Sequence, residues 1–408
     1  MPWYVQFSLY LHTLKSATNN NNENMVDRKP WLDSLPTAFD TPIHWTESQR
    51  KEWLQYDTMV KSVERQETMW KSKFQTVSPV FPAMSWDDFC WGCETARSRA
   101  FSASTAGRFN PGIYAFTLVL VAIYVGLGLG TLEQAANGAG VVFSATVLKD
   151  FVLPKFFSKK LYAICPVIDM ANHNSLSSNA QVSLEYFANA YSLATSLAVQ
   201  QGQAIEISYG ARSNDQLLQY YGFVEPNNPN DVYIMPPLRE WPLQAMEEAT
   251  GRPVAAGRLE KLDRAGLLGR STASAPADDE DEDEAAVSNP WGGVVVTRVE
   301  GIDPAVIQAL RALFSTEVEW DAAGQAVGNF AEAVSAENEK AVYVAAKTAL
   351  ELELQSKATS LQQDLDQLDR IEKGSSSLED KLIDKEEVLA IRFRIEKKSL
   401  LSETIAKL

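Results

Sequence analysis

The sequence predicts an α+β fold, with short strands in the middle of the chain and helices through its C-terminal half. Three observations predict it. After Leu161 the pattern turns into short alternating runs separated by turn residues, among them Val182-Ser-Leu-Glu-Tyr-Phe and Ala204-Ile-Glu-Ile-Ser-Tyr-Gly. From Pro304 onward apolar residues return at helical spacing, ending in a long charged amphipathic stretch over Asp380–Leu408. The length of 408 residues, with 45% hydrophobic and 22% charged, suits two ordinary domains or one large domain with an appendage. It excludes wholesale disorder and collagen-like or coiled-coil repeats.

The elements follow in chain order. Met1–Leu14 (MPWYVQFSLYLHTL) alternates apolar and polar residues, with no basic leader and no small-residue cleavage site, so the chain is expected to begin inside a folded domain. The asparagine-rich run Asn19–Asn24 marks an exposed loop. Residues 45–75 predict one or two helices with Thr46 as N-cap, and a further helix starts near Ser85, three residues ahead of Asp88. No charged residue lies between Arg108 and Glu133, and the apolar run from Ile113 is long enough for a bilayer-spanning helix of about 20 residues. A second uncharged stretch covers Gln134–Leu148, and Lys149, Lys155, Lys159 and Lys160 follow. The two stretches read either as a membrane hairpin or as buried core helix. Gly126, Gly128 and Gly130 end a helix-like run where a dinucleotide loop would open one after a strand, which argues against that loop. Ser213 predicts the cap of a short helix stopped by Gly222, and Pro226–Asn230 predicts a turn. The tract Asp278–Glu284 (DDEDEDE) predicts a solvated acidic loop, disordered over about 271–290, and Ser375–Ser377 break the last two helices.

The formal net charge is −16, without a long basic run. That field repels a polyanion and excludes nucleic acid as the expected partner, and it favours a cationic protein surface or a lysine-bearing tail. Three cysteines cannot form a secreted disulfide framework and point to a reducing compartment. Cys90 and Cys93 have the C-W-G-C spacing of a redox pair, but they stand at the start of an amphipathic helix with no βαβ pattern around it, so packing thiols are expected. A structural zinc site would need four ligands, and the three histidines lie far from these thiols.

Three clusters carry candidate chemistry: Pro166-Val-Ile-Asp-Met-Ala-Asn-His-Asn-Ser, Glu206-Ile-Ser-Tyr-Gly, and Asn214–Val224. Asp169 and His173 are four apart and on a helix would share a face, where they could bind a metal or act as an acid–base pair. No third ligand has a convincing spacing, so no metal is expected. A nucleophile elbow G-x-S-x-G is lacking, and histidine-based catalysis would rest on His173 alone.

The order D-M-A-N-H-N-S, then I-S-Y-G-A-R-S-N-D-Q-L-L, then Y-Y-G-F-V resembles the post-insert half of the SET domain, in the branch typified by the Rubisco large-subunit lysine methyltransferase. Trp31-Leu-Asp-Ser-Leu-Pro, Phe39-Asp-Thr-Pro and Thr95-Ala-Arg-Ser-Arg-Ala-Phe are similar to the same branch, and so are Lys357–Leu368 and Ala390–Leu401 to its helical substrate-binding domain. The resemblance implies a SET fold, a short-strand β fold with a knot-like C-terminal crossing, followed by an all-helical domain. The family's N-terminal strands and G-x-G loop have no match ahead of Trp31, so residues 1–235 are expected to form a partial SET domain with an apolar insert at about 103–160. Residues 236–408 are expected to form the helical domain.

The resemblance further implies methyl transfer from S-adenosylmethionine to a lysine of a protein substrate, by a monomeric enzyme. Asn172 and His173, with Asp169 and Met170 alongside, would hold the cofactor, and Arg99 would meet its carboxylate. Tyr209 matches the catalytic tyrosine, and Tyr221 and Phe223 would line the transfer channel. In-line displacement at a sulfonium needs a neutral amine, close alignment and oxygen dipoles around the methyl, which a tyrosine hydroxyl and aromatic walls supply. The rival expectation is a non-catalytic binding module with a vestigial SET core, tethered to a membrane through 111–148. The resemblance makes plastid or cytoplasm the compartments to expect, and the apolar insert adds membrane association.

Overall fold

The structure is a computed structural model that describes residues 1–19, 28–104, 111–148, 160–185, 190–269, 293–373 and 385–408. The expected acidic loop, the break at Ser375–Ser377 and most of the asparagine run lie outside the described residues. Helices α1 (Trp3–Asn19), α2 (Lys29–Ser34), α3 (Glu47–Leu54), α4 (Asp57–Val77) and α5 (Trp86–Arg99) come first. Then follow β1 (Ala100–Ser104), α6 (Pro111–Gly126), α7 (Leu132–Val147), β2 (Lys160–Ile164), β3 (Asn172–His173), β4 (Ala180–Glu185), β5 (Ala190–Thr195) and β6 (Glu206–Ile207). The rest is α8 (Asn214–Tyr221), β7 (Val232–Met235), α9 (Leu243–Thr250), α10 (Arg258–Arg264), β8 (Val294–Thr297), β9 (Gly301–Ile302), α11 (Pro304–Leu313), α12 (Glu317–Ala322), α13 (Ala336–Gln355), α14 (Leu361–Glu372) and α15 (Lys385–Lys407).

Local signals set several boundaries as expected. Thr46 and Ser213 each accept a hydrogen bond from the backbone N–H three residues on, while the Gln49 and Gln216 side chains accept one from the backbone N–H of the cap. Ser85 makes the same reciprocal pair with Asp88, at 3.0 Å and 3.3 Å. Each box satisfies two backbone donors that a helix start leaves orphaned.

Packing divides the chain into two compact units. One comprises Trp3–Leu35 and Thr95–Ser208, the other Pro36–Glu94 and Tyr209–Leu408. The first holds three two-stranded pairings: β1 with β2 and β4 with β5 antiparallel, β3 with β6 parallel. Its N-terminal segment, whose alternation suggested no helix, forms α1. Tyr4, Ser8, Leu11 and Thr18 are buried, at a spacing that follows 3.6 residues per turn. Trp3 stacks on Tyr162 at 4.1 Å, and the Arg97 guanidinium lies 5.0 Å from the centre of the Tyr4 ring. Among the described residues no strand precedes Ala100.

The apolar insert departs from both of its expected readings. The run breaks after Gly126, and α6 and α7 have 16 residues each, about 24 Å at 1.5 Å per residue against a hydrocarbon core of about 30 Å. Among the described residues no helix is long and apolar enough to cross a membrane. The insert is not buried core either, because Phe116, Leu118, Val119, Leu120 and Ile123 are exposed.

The second unit carries one continuous core. Tyr56, Met59 and Val63 of the N-terminal part join Leu218, Tyr233 and Phe393 of the C-terminal part. The C-terminal half is helical as expected, with one addition. Strand β8 pairs with β7 on one side and β9 on the other in a three-stranded antiparallel sheet, Val296 opposite Tyr233 and Ile302.

Candidate active site

The residues expected to act on a cofactor fall into two clusters, one in each unit. In the first unit Arg99 closes α5, and its Nη1 donates to the main-chain oxygen of Asp169 at 3.0 Å. The same nitrogen lies 3.4 Å from Asp169 Oδ2 and 3.4 Å from Met170 Sδ, and Trp31 Nε1 donates to that Oδ2 at 3.1 Å. The Asp169 carboxylate is wholly buried. Its Oδ1 and Arg99 Nε have no hydrogen-bond partner, an arrangement that native interiors rarely leave.

Asp169 sits on a 3-10 turn, Ile168–Met170, entered through Val167 at φ +76°. A β-branched residue there is strained, and such strain gathers where a backbone is held for a task. Asp169 and His173 are therefore not on a common helix. The turn ends at Met170, and Asn172 and His173 run as a strand beside Glu206 and Ile207. His173 Nε2 is paired with Ser175 Oγ at 3.0 Å, while Asp169 is held by Trp31 and Arg99. Among the described residues no three His, Cys, Asp or Glu side chains are grouped to hold a metal ion. Asn174 continues the strand, its backbone N–H donating to Ile207 O at 3.0 Å and its side chain to Glu206 at 3.1 Å.

In the second unit Tyr209, Tyr221 and Phe223 form an aromatic cluster. The Tyr209 and Tyr221 rings stack at 5.0 Å with an angle of 29°, and Phe223 meets Tyr221 edge-on at 6.2 Å. Two glycines set this up. Gly210 at φ +91° turns the chain after Tyr209, and Gly222 at φ +73° ends α8 between Tyr221 and Phe223. Gly222→Ala would force an L side chain into a left-handed conformation and should disorder the pair, an expectation that a loss of near-ultraviolet tyrosine dichroism would check.

Sequence reasoning passed over what holds α8 in place. Asn214 Nδ2 donates to Glu225 O at 3.1 Å, and Glu225 N donates back to Asn214 Oδ1 at 2.9 Å. Asp231 Oδ1 accepts from Asn214 N at 2.9 Å and from Lys397 Nζ at 2.8 Å. Lys397 also contacts Asp215 and donates to Val232 O at 2.7 Å. Burial works to lower the Lys397 amine, but Asp215 and Asp231 outweigh it and hold the group above its ordinary value. The available signal was position: Lys397 lies four residues after Phe393 and three before Leu400, on the buried face of α15.

Another pair in this unit is a pH probe. His44 Nε2 lies 2.9 Å from Glu94 Oε2, and Thr41 donates to the same carboxylate. The hydrogen bond to Glu94 raises the His44 value against the effect of burial. Stability from this pair is therefore full below the unfolded histidine value of about 6.5 and is lost as pH rises through the higher folded value. Proton NMR should show a His44 resonance titrating above that value and absent in His44→Gln. Cys90 and Cys93 are buried on α5, and burial pushes the Cys90 thiol far up, the reverse of what a redox pair needs. Native protein should resist iodoacetamide at both positions, and rapid labelling of either would restore the redox reading.

Comparison with known proteins assigns the fold. Residues 251–401 match the Rubisco LSMT substrate-binding family model. A crystal structure of the SET domain of LSMT bound to MeLysine and AdoHcy is similar over 99% of this chain and 74% of that one, at 17% identity and a TM-score of 0.54. Rubisco LSMT bound to AdoMet matches over the same shares at 16% identity and a TM-score of 0.53. The SET domain of LSMT bound to lysine and AdoHcy follows at 16% identity, 93% and 70% coverage, and a TM-score of 0.52. No curated protein sequence matches the chain. The chain thus has the α+β SET fold of the LSMT structures, as the sequence motifs implied. Its C-terminal part is, more particularly, similar to the Rubisco LSMT substrate-binding family over residues 251–401.

Proposed function

We propose that this chain is an S-adenosylmethionine-dependent protein-lysine methyltransferase, with a SET part in residues 1–235 and a substrate-binding part in residues 236–408. The observation that carries the reading is the stacked Tyr209–Tyr221 pair with Phe223 edge-on to it, on a fold whose solved relatives hold AdoMet, AdoHcy and lysine. The aromatic faces suit an alkylammonium, and a tyrosine hydroxyl supplies the oxygen dipole that a methyl carrying positive charge prefers.

The residues of the first unit fit the cofactor. Arg99 Nε is a buried donor without a partner, suited to a carboxylate, and Met170 beside it is exposed. Arg99 would orient the amino-acid end, Asp169 would hold Arg99, and Asn172 and His173 would contribute backbone groups from a strand fixed by β6. Bound S-adenosylmethionine would supply an electrophilic sulfonium methyl. Tyr209 would orient the methyl-accepting amine, and Tyr221 and Phe223 would exclude water from it and align the lysine chain.

Calorimetric titration with S-adenosylmethionine tests the reading. Wild type and Tyr209→Phe should bind. Arg99→Ala should weaken binding about ten- to a hundredfold, since a hydrogen bond to a charged group contributes about 1.5–3 kcal/mol. A second reading rests on Arg99 already being engaged by Asp169, in keeping with a vestigial core that serves only as a protein-binding module. Absence of binding by folded protein would favour that reading and overturn ours.

A further inference from the structure

The methyl-transfer reading leaves α6 and α7 without a task, yet they carry much of the exposed apolar surface among the described residues. At about 100° per residue, exposed Phe116, Leu118, Val119, Leu120, Ile123 and Tyr124 cover about two-thirds of the circumference of α6. The remaining strip, Thr117, Val121 and Val125, is half-buried. Helix α7 is built differently. Ala135 and Thr146 are buried on one side, and Glu133, Asn137 and Ser144 form an exposed polar stripe on the opposite side. The helices pack on each other, with a broad apolar surface on α6, while α7 carries its polar stripe beside exposed Leu132, Val141 and Phe143.

The chain leaves for this hairpin at Ser104 and returns at Lys160, which face each other at one end of the β1–β2 ladder. Both strands of the connection therefore depart from the same side. In sequence the hairpin is preceded by Arg108 and followed by Lys149, Lys155, Lys159 and Lys160 against the single acid Asp150. A protein groove covers one face of a helix; a lipid phase accepts an apolar surface this wide, and its headgroups accept a polar stripe and lysines.

We propose that α6 and α7 form a one-sided anchor to a lipid bilayer, with α6 inserted among the acyl chains of the near leaflet and the polar stripe of α7 at the headgroups. The helices are too short to span, and the anchor does not need to. It would hold the protein on a membrane surface whether or not the chain transfers methyl groups.

The test is flotation of the full-length protein with vesicles of phosphatidylcholine, and of phosphatidylcholine mixed with phosphatidylserine. Wild type should float with both, and more with the anionic mixture. The variant Leu118→Asp/Ile123→Asp places charges on exposed positions of α6, so its circular dichroism and thermal unfolding should match wild type. Its vesicle-bound fraction should fall by more than about tenfold, because acidic residues partition strongly out of the acyl region. Wild type remaining in the aqueous layer, or the variant floating equally well, would overturn the anchor. A wild-type dimer that the variant converts to monomer, without vesicle binding, would assign the surface to a second copy of the chain instead.

Discussion

Lys397→Met should destabilise the second unit by about 3–5 kcal/mol, the range expected when one partner is removed from a buried ion pair. The lysine side chain is 3% exposed and that of Asp231 is fully buried. Methionine fills a similar volume, so the loss would come from charge rather than from a cavity. Asp231 and Asp215 would then face each other without a cation, and Val232 O would lose its donor. The pH dependence separates this cause from poor packing. Unpaired buried carboxylates have raised folded values, so the penalty should be greatest near neutral pH and shrink as pH falls towards 4, where protonation relieves it. Urea unfolding of both proteins at several pH values would measure it. A deficit that does not change with pH would sink the electrostatic account. Adding Asp215→Asn and Asp231→Asn to the methionine variant should recover much of the loss.

Asp364→Ala should have a comparable effect on the packing of α14 against α15. The carboxylate is fully buried between Arg394 Nη2 at 2.9 Å and Lys398 Nζ at 2.6 Å, and Thr359 Oγ1 donates to it at 2.8 Å. Removing it would leave two buried cations sharing one site, at a loss of about 3–5 kcal/mol. In the wild type, burial works to raise the carboxyl, but the hydrogen bonds from Arg394 and Lys398 outweigh it and hold the group below its ordinary value. Stability from this cluster is therefore full above the unfolded aspartate value of about 3.9 and is lost as pH falls through the lower folded value. Thermal unfolding should show wild type and Asp364→Ala converging in strong acid and far apart at neutral pH. A constant gap across that range would contradict the assignment.

The parts of the fold that were legible in advance are those specified by neighbours in sequence. Thr46, Ser85 and Ser213 declare helix starts because a cap and its partner are three residues apart, and Gly222 declares a helix end through its own backbone freedom. The aromatic cluster was legible from the motif Y-Y-G-F, since Tyr221 and Phe223 flank that glycine. Helix α1 was not legible as a helix, because its polar residues include Ser8 and Thr18, which are buried, and this masks the 3.6-residue period. Asp169 and His173 were misplaced as partners because a spacing of four has that meaning only on a helix, and a 3-10 turn and a strand intervene.

By itself the sequence determined the α+β class, the capped helices, the absence of any basic run in a chain of net charge −16, and the residues that resemble a SET methyl-transfer site. Those properties are local or additive, so they survive without knowledge of what packs on what. Only the tertiary structure decided that Arg99 engages Asp169, that Lys397 holds α8 through Asp215 and Asp231, and that the apolar insert is a pair of short exposed helices. Each depends on residues separated by tens to hundreds of positions or on which faces remain uncovered. The free energy of a buried charge or an exposed leucine is set by that surrounding, not by the residue's identity.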